Sequence, residues 1–391
     1  MKNRMRPYRL KAVLFLLAVV GPCMLNAGEP PASKEFVING PLYKRIMLLK
    51  DIVADILPPP GYIIESHLVV HELIDALEKG ADAKTIDELI EYGRKLKEGS
   101  SAKGEFAGYF ERLEFWQKDL PTDAAPMQDL RTWMLDKAQT AAKKYYEVRD
   151  TKFVPLLKSA DPSKPADANA AKAVLRNDLK PLYEQHRVAI DEVVTRSNVE
   201  IKRLEREVVT LVAKGDYTNV SIGGSYYLNI VRMKDLISDV LPPPRYIIES
   251  HMVNLMLIDA LERGAAPEVA KLSEWGRQLK EGMSMKKELP GYMERQNFWK
   301  ANLAEKTDAE KKIKDLMLRA TFDPSVKFFE VRDTQFASAI QKNDAATAKK
   351  VFRDTLVPLY REHRKAIDEL VTAANASYEA LMQEVAAKTK K

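Results

Sequence analysis

The stretch Leu57-Pro58-Pro59-Pro60-Gly61-Tyr62-Ile63-Ile64-Glu65-Ser66-His67 returns as Leu241-Pro242-Pro243-Pro244-Arg245-Tyr246-Ile247-Ile248-Glu249-Ser250-His251, with only Gly61 against Arg245 changed. A proline inside a helix removes a backbone hydrogen bond and clashes with the preceding turn, at a cost of about 3 kcal/mol. Three in a row, twice, each followed by the same polar residues, mark a duplicated module with a stop or kink at one fixed place.

The repeat extends along the chain. Lys50-Asp51 returns as Lys234-Asp235, and Leu73 to Glu78 as Leu257 to Glu262. Gly93-Arg94 returns as Gly276-Arg277, Gly108-Tyr109 as Gly291-Tyr292, and Phe115-Trp116 as Phe298-Trp299. Glu147-Val148-Arg149-Asp150-Thr151 returns as Glu330-Val331-Arg332-Asp333-Thr334. Pro181-Leu182-Tyr183 with His186-Arg187 returns as Pro358-Leu359-Tyr360 with His363-Arg364. The offset slips from 184 to 183 to 177 along the chain. The slips fall between predicted helices, where insertions are tolerated.

Apolar residues recur at helical spacing, as in Leu42, Ile46, Leu49, Val53 and Ile56. Glycine numbers only 16 in 391 residues, and no stretch alternates as a half-buried strand does. In the first copy, helical runs are predicted from about Gly40 to the prolines, Tyr62 to Lys79, Lys84 to Glu98, Phe106 to Leu120, Met127 to Lys158, and Ala168 to Lys214. Gly80 stands as a C-terminal cap. Long helical runs with short connections predict an all-α chain of two tandem up-down-up-down four-helix bundles, each with a proline-kinked first helix. The expected boundaries are a signal peptide at 1–27, a leader at 28–39, module 1 at 40–214, a linker at 215–224 and module 2 at 225–391.

The N-terminus has the pattern of an export signal. Lys2, Arg4, Arg6, Arg9 and Lys11 precede the apolar run Ala12 to Val20, and Leu25-Asn26-Ala27 suits cleavage. The run is short for a membrane span. The expected location is therefore periplasmic, with an uncleaved N-terminal anchor in the inner membrane as the alternative. Setting aside the five basic residues of the signal reduces the formal charge from +6 to +1, so basicity gives no argument for nucleic-acid binding. The single cysteine, Cys23, lies in the signal too, leaving no disulfide, thiolate ligand or cysteine nucleophile in a processed chain.

Polar residues that survive duplication need a reason beyond a shared core. On an up-down bundle with about 1.5 Å per residue, Tyr62, Glu65, His67, Arg94, Arg149, Tyr183, His186 and Arg187 fall in one half of module 1. Tyr246, Glu249, His251, Arg277, Arg332, Tyr360, His363 and Arg364 fall in the same half of module 2. One reading is a ligand site between helices, with arginine forks for an anionic solute and His and Tyr as hydrogen-bonders. The other is an internal polar network that pins helix register, with Glu65 paired to an arginine. Lys50, Asp51 and Glu147 read as salt-bridged surface or rim residues. Trp116 and Trp299 read as core or bundle-end packing.

Four of the five histidines form the repeat-related pairs His67 with His251 and His186 with His363. Facing histidines in a bundle raise haem or metal ligation as a third class. No Cys-x-x-Cys-His, Glu-x-x-His or His-Glu-x-x-His motif accompanies them, so no cofactor and no metal is expected. No Ser-His-Asp order, phosphate loop or paired catalytic carboxylates emerge, and the expectation is a non-enzyme.

The pattern Ile230, Lys234-Asp235-Leu236, Asp239, Leu241 to Ser250, followed by Tyr360, His363-Arg364 and Ala366-Ile367-Asp368, resembles the periplasmic sensory region of bacterial methyl-accepting chemotaxis proteins. The first copy matches with Ile52 in place of the leucine. The resemblance covers nearly the whole chain after the signal, once per repeat, and is most specific at the proline-centred motif. It implies an all-helical ligand-binding region. Such receptors carry two membrane spans and a cytoplasmic signalling hairpin; this sequence shows two sensor-like modules and neither a second span nor a hairpin. The sensing half alone is therefore implied. Related regions tend to carry an aromatic where His67 and His251 stand. The expected partners are a small-molecule ligand and a membrane chemoreceptor or another helical-bundle protein, with homo-oligomerisation possible and no nucleic acid.

Overall fold

A computed structural model describes residues 37–56, 61–99, 108–122, 125–160, 165–215, 220–240, 245–282 and 291–389. The expected signal peptide, the leader up to residue 36 and both proline triplets lie outside them. The described chain is helical, and its extended pairing is the single antiparallel bridge between Val37 and Ser221. No described helix is long and apolar enough to cross a membrane.

Two compact units emerge: residues 1–44 with 59–241, and residues 45–58 with 242–391. They do not coincide with the two repeats. Most of the first helix of the first repeat groups with the second repeat's residues, and the first helix of the second repeat groups with the first's.

Unit 1 begins with the first turn of α1 (Pro41–Ile56), where Tyr43 donates to Glu205 at 2.8 Å. It continues with α2 (Ile64–Glu78), α3 (Ala83–Glu98) and α4 (Tyr109–Asp119). A long rod follows, made of α5 (Ala125–Arg131), a π turn at Thr132–Ala138, α6 (Gln139–Val148), a π turn at Arg149–Phe153 and α7 (Val154–Ser159). A second rod consists of α8 (Pro165–Val174), a π turn at Leu175–Leu179 and α9 (Lys180–Ala213). α10 (Ser225–Val240) packs along α9, and its Arg232 pairs with Asp119 at 2.9 Å. α1 ends at Ile56 and α2 begins at Ile64, as separate helices.

Unit 2 joins residues 45–58 to α11 (Ile248–Glu262), α12 (Ala266–Glu281) and α13 (Tyr292–Asn302). Its first rod is α14 (Asp308–Asp315), a π turn at Leu316–Ala320, α15 (Phe322–Val331), a π turn at Arg332–Phe336 and α16 (Ala337–Gln341). Its second is α17 (Ala345–Val351), a π turn at Phe352–Leu356 and α18 (Val357–Thr389). Lys50 lies over the Tyr378 ring of α18 at 4.5 Å and is buried, not at a rim as expected. The aliphatic stem of a lysine packs well on such a surface while its cation meets the ring face.

Local chemistry explains the ends of these helices. Asp82 accepts from the Thr85 amide at 2.8 Å, and Thr307 with Glu310 closes a capping box on α14. α2 ends on Gly80 at φ 66°, a left-handed turn that a side chain resists. Gly108 is required for another reason. A Cβ there would stand 2.1 Å from the Gly99 backbone nitrogen, and Gly291 meets Gly282 in the same way. These glycine pairs bring the end of α3 to the start of α4, and the end of α12 to the start of α13.

Candidate functional site

The residues after the proline stretch do converge with residues far along the chain. In unit 1, Tyr62 in the turn before α2 and Ser66 and His67 on α2 meet Tyr145 and Tyr146 of α6 and Tyr183 and His186 of α9. The Tyr62 and Tyr183 hydroxyls are 2.6 Å apart. The His67 ring lies flat on Tyr183, with centroids 4.1 Å apart and planes 5° from parallel. Its Nδ1 is 3.2 Å from the Tyr145 hydroxyl, and Ser66 Oγ is 2.9 Å from the Tyr146 hydroxyl. Glu65 accepts from Tyr92 of α3 at 3.2 Å.

Unit 2 repeats the frame. The Tyr246 and Tyr360 hydroxyls are 2.7 Å apart, and His251 stacks on Tyr360 at 4.0 Å and 4°. Glu249 is buried beside them in sequence on α11.

The π turns serve the second pair of histidines. His186 Nδ1 lies 2.9 Å from the carbonyl oxygen of Ala138, the last residue of the first π turn. His363 Nδ1 lies 2.7 Å from the carbonyl oxygen of Thr321, directly after the corresponding turn. In both units the imidazole nitrogen thus meets a backbone carbonyl at the end of a π turn.

All four repeat-related histidines are wholly or almost wholly buried. Burial disfavours the imidazolium and lowers every one of their pKa values. His67 is pushed well below the usual histidine range by burial, then by His71 and Lys180. His186 falls to about 4, although the carbonyls of Ala138 and Gly61 pull the other way. His251 falls to about 3 through burial and then Arg361 and Arg364. His363 also falls to about 3, chiefly by burial. At neutral pH the clusters therefore hold uncharged imidazoles, each with a donor and an acceptor.

The arginines divide. Arg149 is buried, donates to the Gly93 carbonyl at 2.6 Å and to Asp150 Oδ1 at 2.8 Å, and lies 4.9 Å over the Tyr146 ring. Arg332 does the same with Gly276 at 2.8 Å, Asp333 at 2.7 Å and Phe329 at 4.7 Å. Both guanidiniums tie the first rod of their unit to a glycine carbonyl, that of Gly93 on α3 or Gly276 on α12. Arg94 and Arg277 are not in the clusters at all. They sit on the solvent face of α3 and α12 and pair with Glu91 and Glu98, and with Glu274 and Glu281. The i,i+3 and i,i+4 spacing of these glutamates satisfies them locally. Arg187 and Arg364 are half-buried one residue beyond His186 and His363.

Several cluster residues were not legible as repeat matches because the copies differ there. Tyr145 and Tyr146 become Phe328 and Phe329, Val70 becomes Asn254, and Gly61 becomes Arg245. Arg245 is fully buried, donates to the Met317 carbonyl at 2.7 Å and lies 4.1 Å over the Tyr292 ring. The available signal was the doublet Tyr145-Tyr146, an aromatic pair directly before the repeated Glu-Val-Arg-Asp-Thr motif. Trp116 and Trp299 are buried as expected, with Arg112 and Arg295 over the adjoining rings.

Some buried polar atoms have no hydrogen-bond partner among the described residues. They include His67 Nε2 and Tyr109 Oη in unit 1, and His251 Nδ1 with both polar side-chain atoms of Asn254 in unit 2. Among the described residues, no three His, Cys, Asp or Glu side chains are grouped to hold a metal ion. In comparisons with known proteins, the chain matches no protein-family model, no curated protein and no solved structure.

Proposed function

We propose that this is an exported, non-catalytic sensory protein made of two tandem four-helix modules, each binding a small solute at its histidine–tyrosine cluster. The observation that carries the reading is the set of buried polar atoms left without partners beside the stacks, His67 Nε2 and Tyr109 Oη in one unit and His251 Nδ1 and Asn254 in the other. A buried polar group without a partner costs about 1–3 kcal/mol. A chain that keeps such groups in both units has a use for them, and a bound solute supplies the missing bonds.

The anionic character expected of the solute has narrower support than the sequence suggested. Arg149 and Arg332 spend their forks on backbone carbonyls and aspartates, and Arg94 and Arg277 lie outside. What favours an anion is the positive field of Lys180 at His67 in unit 1. The sequence resemblance to chemoreceptor sensory regions supports a role in presenting the solute to a membrane receptor from the periplasm.

A second reading has an observation of its own. The committed arginines and the tyrosine hydroxyl pairs describe a register-pinning network, as an interaction scaffold of helical bundles would have. Thermal-shift screening of organic acids, amino acids, amides and amines separates the two. The ligand-binding reading predicts a raised melting temperature with at least one class, lost in His67→Phe and His251→Phe. A flat screen, with a protein partner recovered by periplasmic crosslinking, selects the scaffold.

A further inference from the structure

Two differences between the units change the polar groups on one buried helix face. Where His67 has the Tyr145 hydroxyl at its Nδ1, His251 has Phe328, whose ring centroid is 6.2 Å away and carries no hydroxyl. His251 Nδ1 accordingly lacks a partner among the described residues. Where unit 1 has Val70, unit 2 has Asn254, which is 0% exposed, with neither Oδ1 nor Nδ2 partnered among the described residues. Asn254 follows His251 by three residues on α11, so the two are neighbours on the helix surface. Valine at this place, as in unit 1, buries without penalty; an asparagine amide does so only with something to bond.

We propose that Asn254 and His251 form a binding site particular to unit 2, which takes a small uncharged molecule bearing a carboxamide edge. The assignment rests on the ligand-binding reading and gives that site its chemistry. The Asn254 amide presents an acceptor and a donor side by side, and a second carboxamide presents the complement, closing two hydrogen bonds. His251, held neutral, adds a third as donor or acceptor according to its tautomer. A carboxylate leaves Oδ1 facing another acceptor. An ammonium meets the positive field of Arg361 and Arg364, which acts on His251.

The test is a thermal-shift titration of the purified full chain with acetamide and propionamide, with acetate and ethylammonium as charged counterparts. The amides are expected to raise the melting temperature and the charged probes to leave it unchanged. Asn254→Val, which installs the unit 1 residue, is expected to fold, to raise the ligand-free melting temperature and to abolish the amide shift. Phe328→Tyr, which gives His251 the hydroxyl that His67 has, is expected to reduce the shift, and should circular dichroism show Asn254→Val unfolded, Asn254→Leu takes its place. An undiminished amide shift in Asn254→Val, or an equal shift with acetate, overturns the site. So does a wild type that no amide stabilises, which leaves Asn254 bonded to water alone. If other solutes still stabilise the protein, only this assignment fails; if no solute of any class does, the ligand-binding reading fails with it.

Discussion

The two units share a frame and differ in its lining. Each has a histidine stacked flat on a tyrosine, a tyrosine hydroxyl pair, a buried arginine on a glycine carbonyl, and a second histidine on a π-turn carbonyl. Around that frame, unit 1 places Tyr145, Tyr146 and Val70, while unit 2 places Phe328, Phe329, Asn254 and Arg245. The shared part joins the helices of each unit by the same bonds. The changed part alters which hydrogen bonds are offered, and that is where two copies of one module would come to recognise different things.

Acid should disturb the shared frame most. Each of the four repeat-related histidines is neutral when folded and takes up a proton when unfolded, below an ordinary value of about 6.5. A depressed pKa contributes stability that is full above that value and is lost as pH falls toward the folded one. For His186, with a folded value of about 4, the loss amounts to roughly 3 kcal/mol. His251 and His363, at about 3, lose at least as much over a wider interval. Urea unfolding between pH 7 and pH 3 should show the midpoint falling steadily below about pH 6.5. A midpoint flat to pH 4 contradicts the neutral, buried assignment.

Removing the buried guanidinium comes next. Arg149→Ala and Arg332→Ala each leave a buried glycine carbonyl without its donor, while Asp150 and Asp333 keep Lys97 and Lys280, and a loss of about 2 kcal/mol is expected for either. Because both arginines belong to the frame, the two losses should be alike, as read by chemical denaturation. A large loss in one and none in the other breaks the equivalence of the units.

A smaller, one-sided effect tests the lining. Tyr146→Phe installs the unit 2 residue in unit 1 and removes the bond to Ser66, at an expected cost of about 1 kcal/mol. Smallest of all, Arg94→Ala and Arg277→Ala should leave thermal unfolding and any solute-induced shift unchanged, because their partners are glutamates on the same solvent-facing helix surface. A lost solute shift in either variant returns that arginine to the site.

Much of the helical layout was legible. The runs predicted at Lys84 to Glu98 and Met127 to Lys158 are observed as 83–98 and 125–159, because apolar spacing and loop prolines mark helices well. The convergence of Tyr62, His67, Tyr183 and His186 was legible too, because duplication marks what a shared frame needs. Three things were not. Arg94 matched between copies yet lies outside, since conservation between repeats does not separate a helix-surface ion pair from a buried fork. The grouping of residues 45–58 with unit 2 was also hidden, because a duplicated first helix fits either copy's partner and periodicity is silent on which it chooses. Finally, the lining residues Tyr145, Asn254 and Arg245 stand where the two copies differ, so the repeat does not mark them.

The most direct test of solute binding is calorimetric titration of the wild-type protein with whichever solute raises its melting temperature, repeated on His67→Phe and His251→Phe. Saturable binding in the wild type, weakened when the histidine of the occupied unit is replaced while the protein stays folded, is the predicted result. Binding that survives both replacements, or no binding by any solute class, contradicts the histidine–tyrosine clusters as the site.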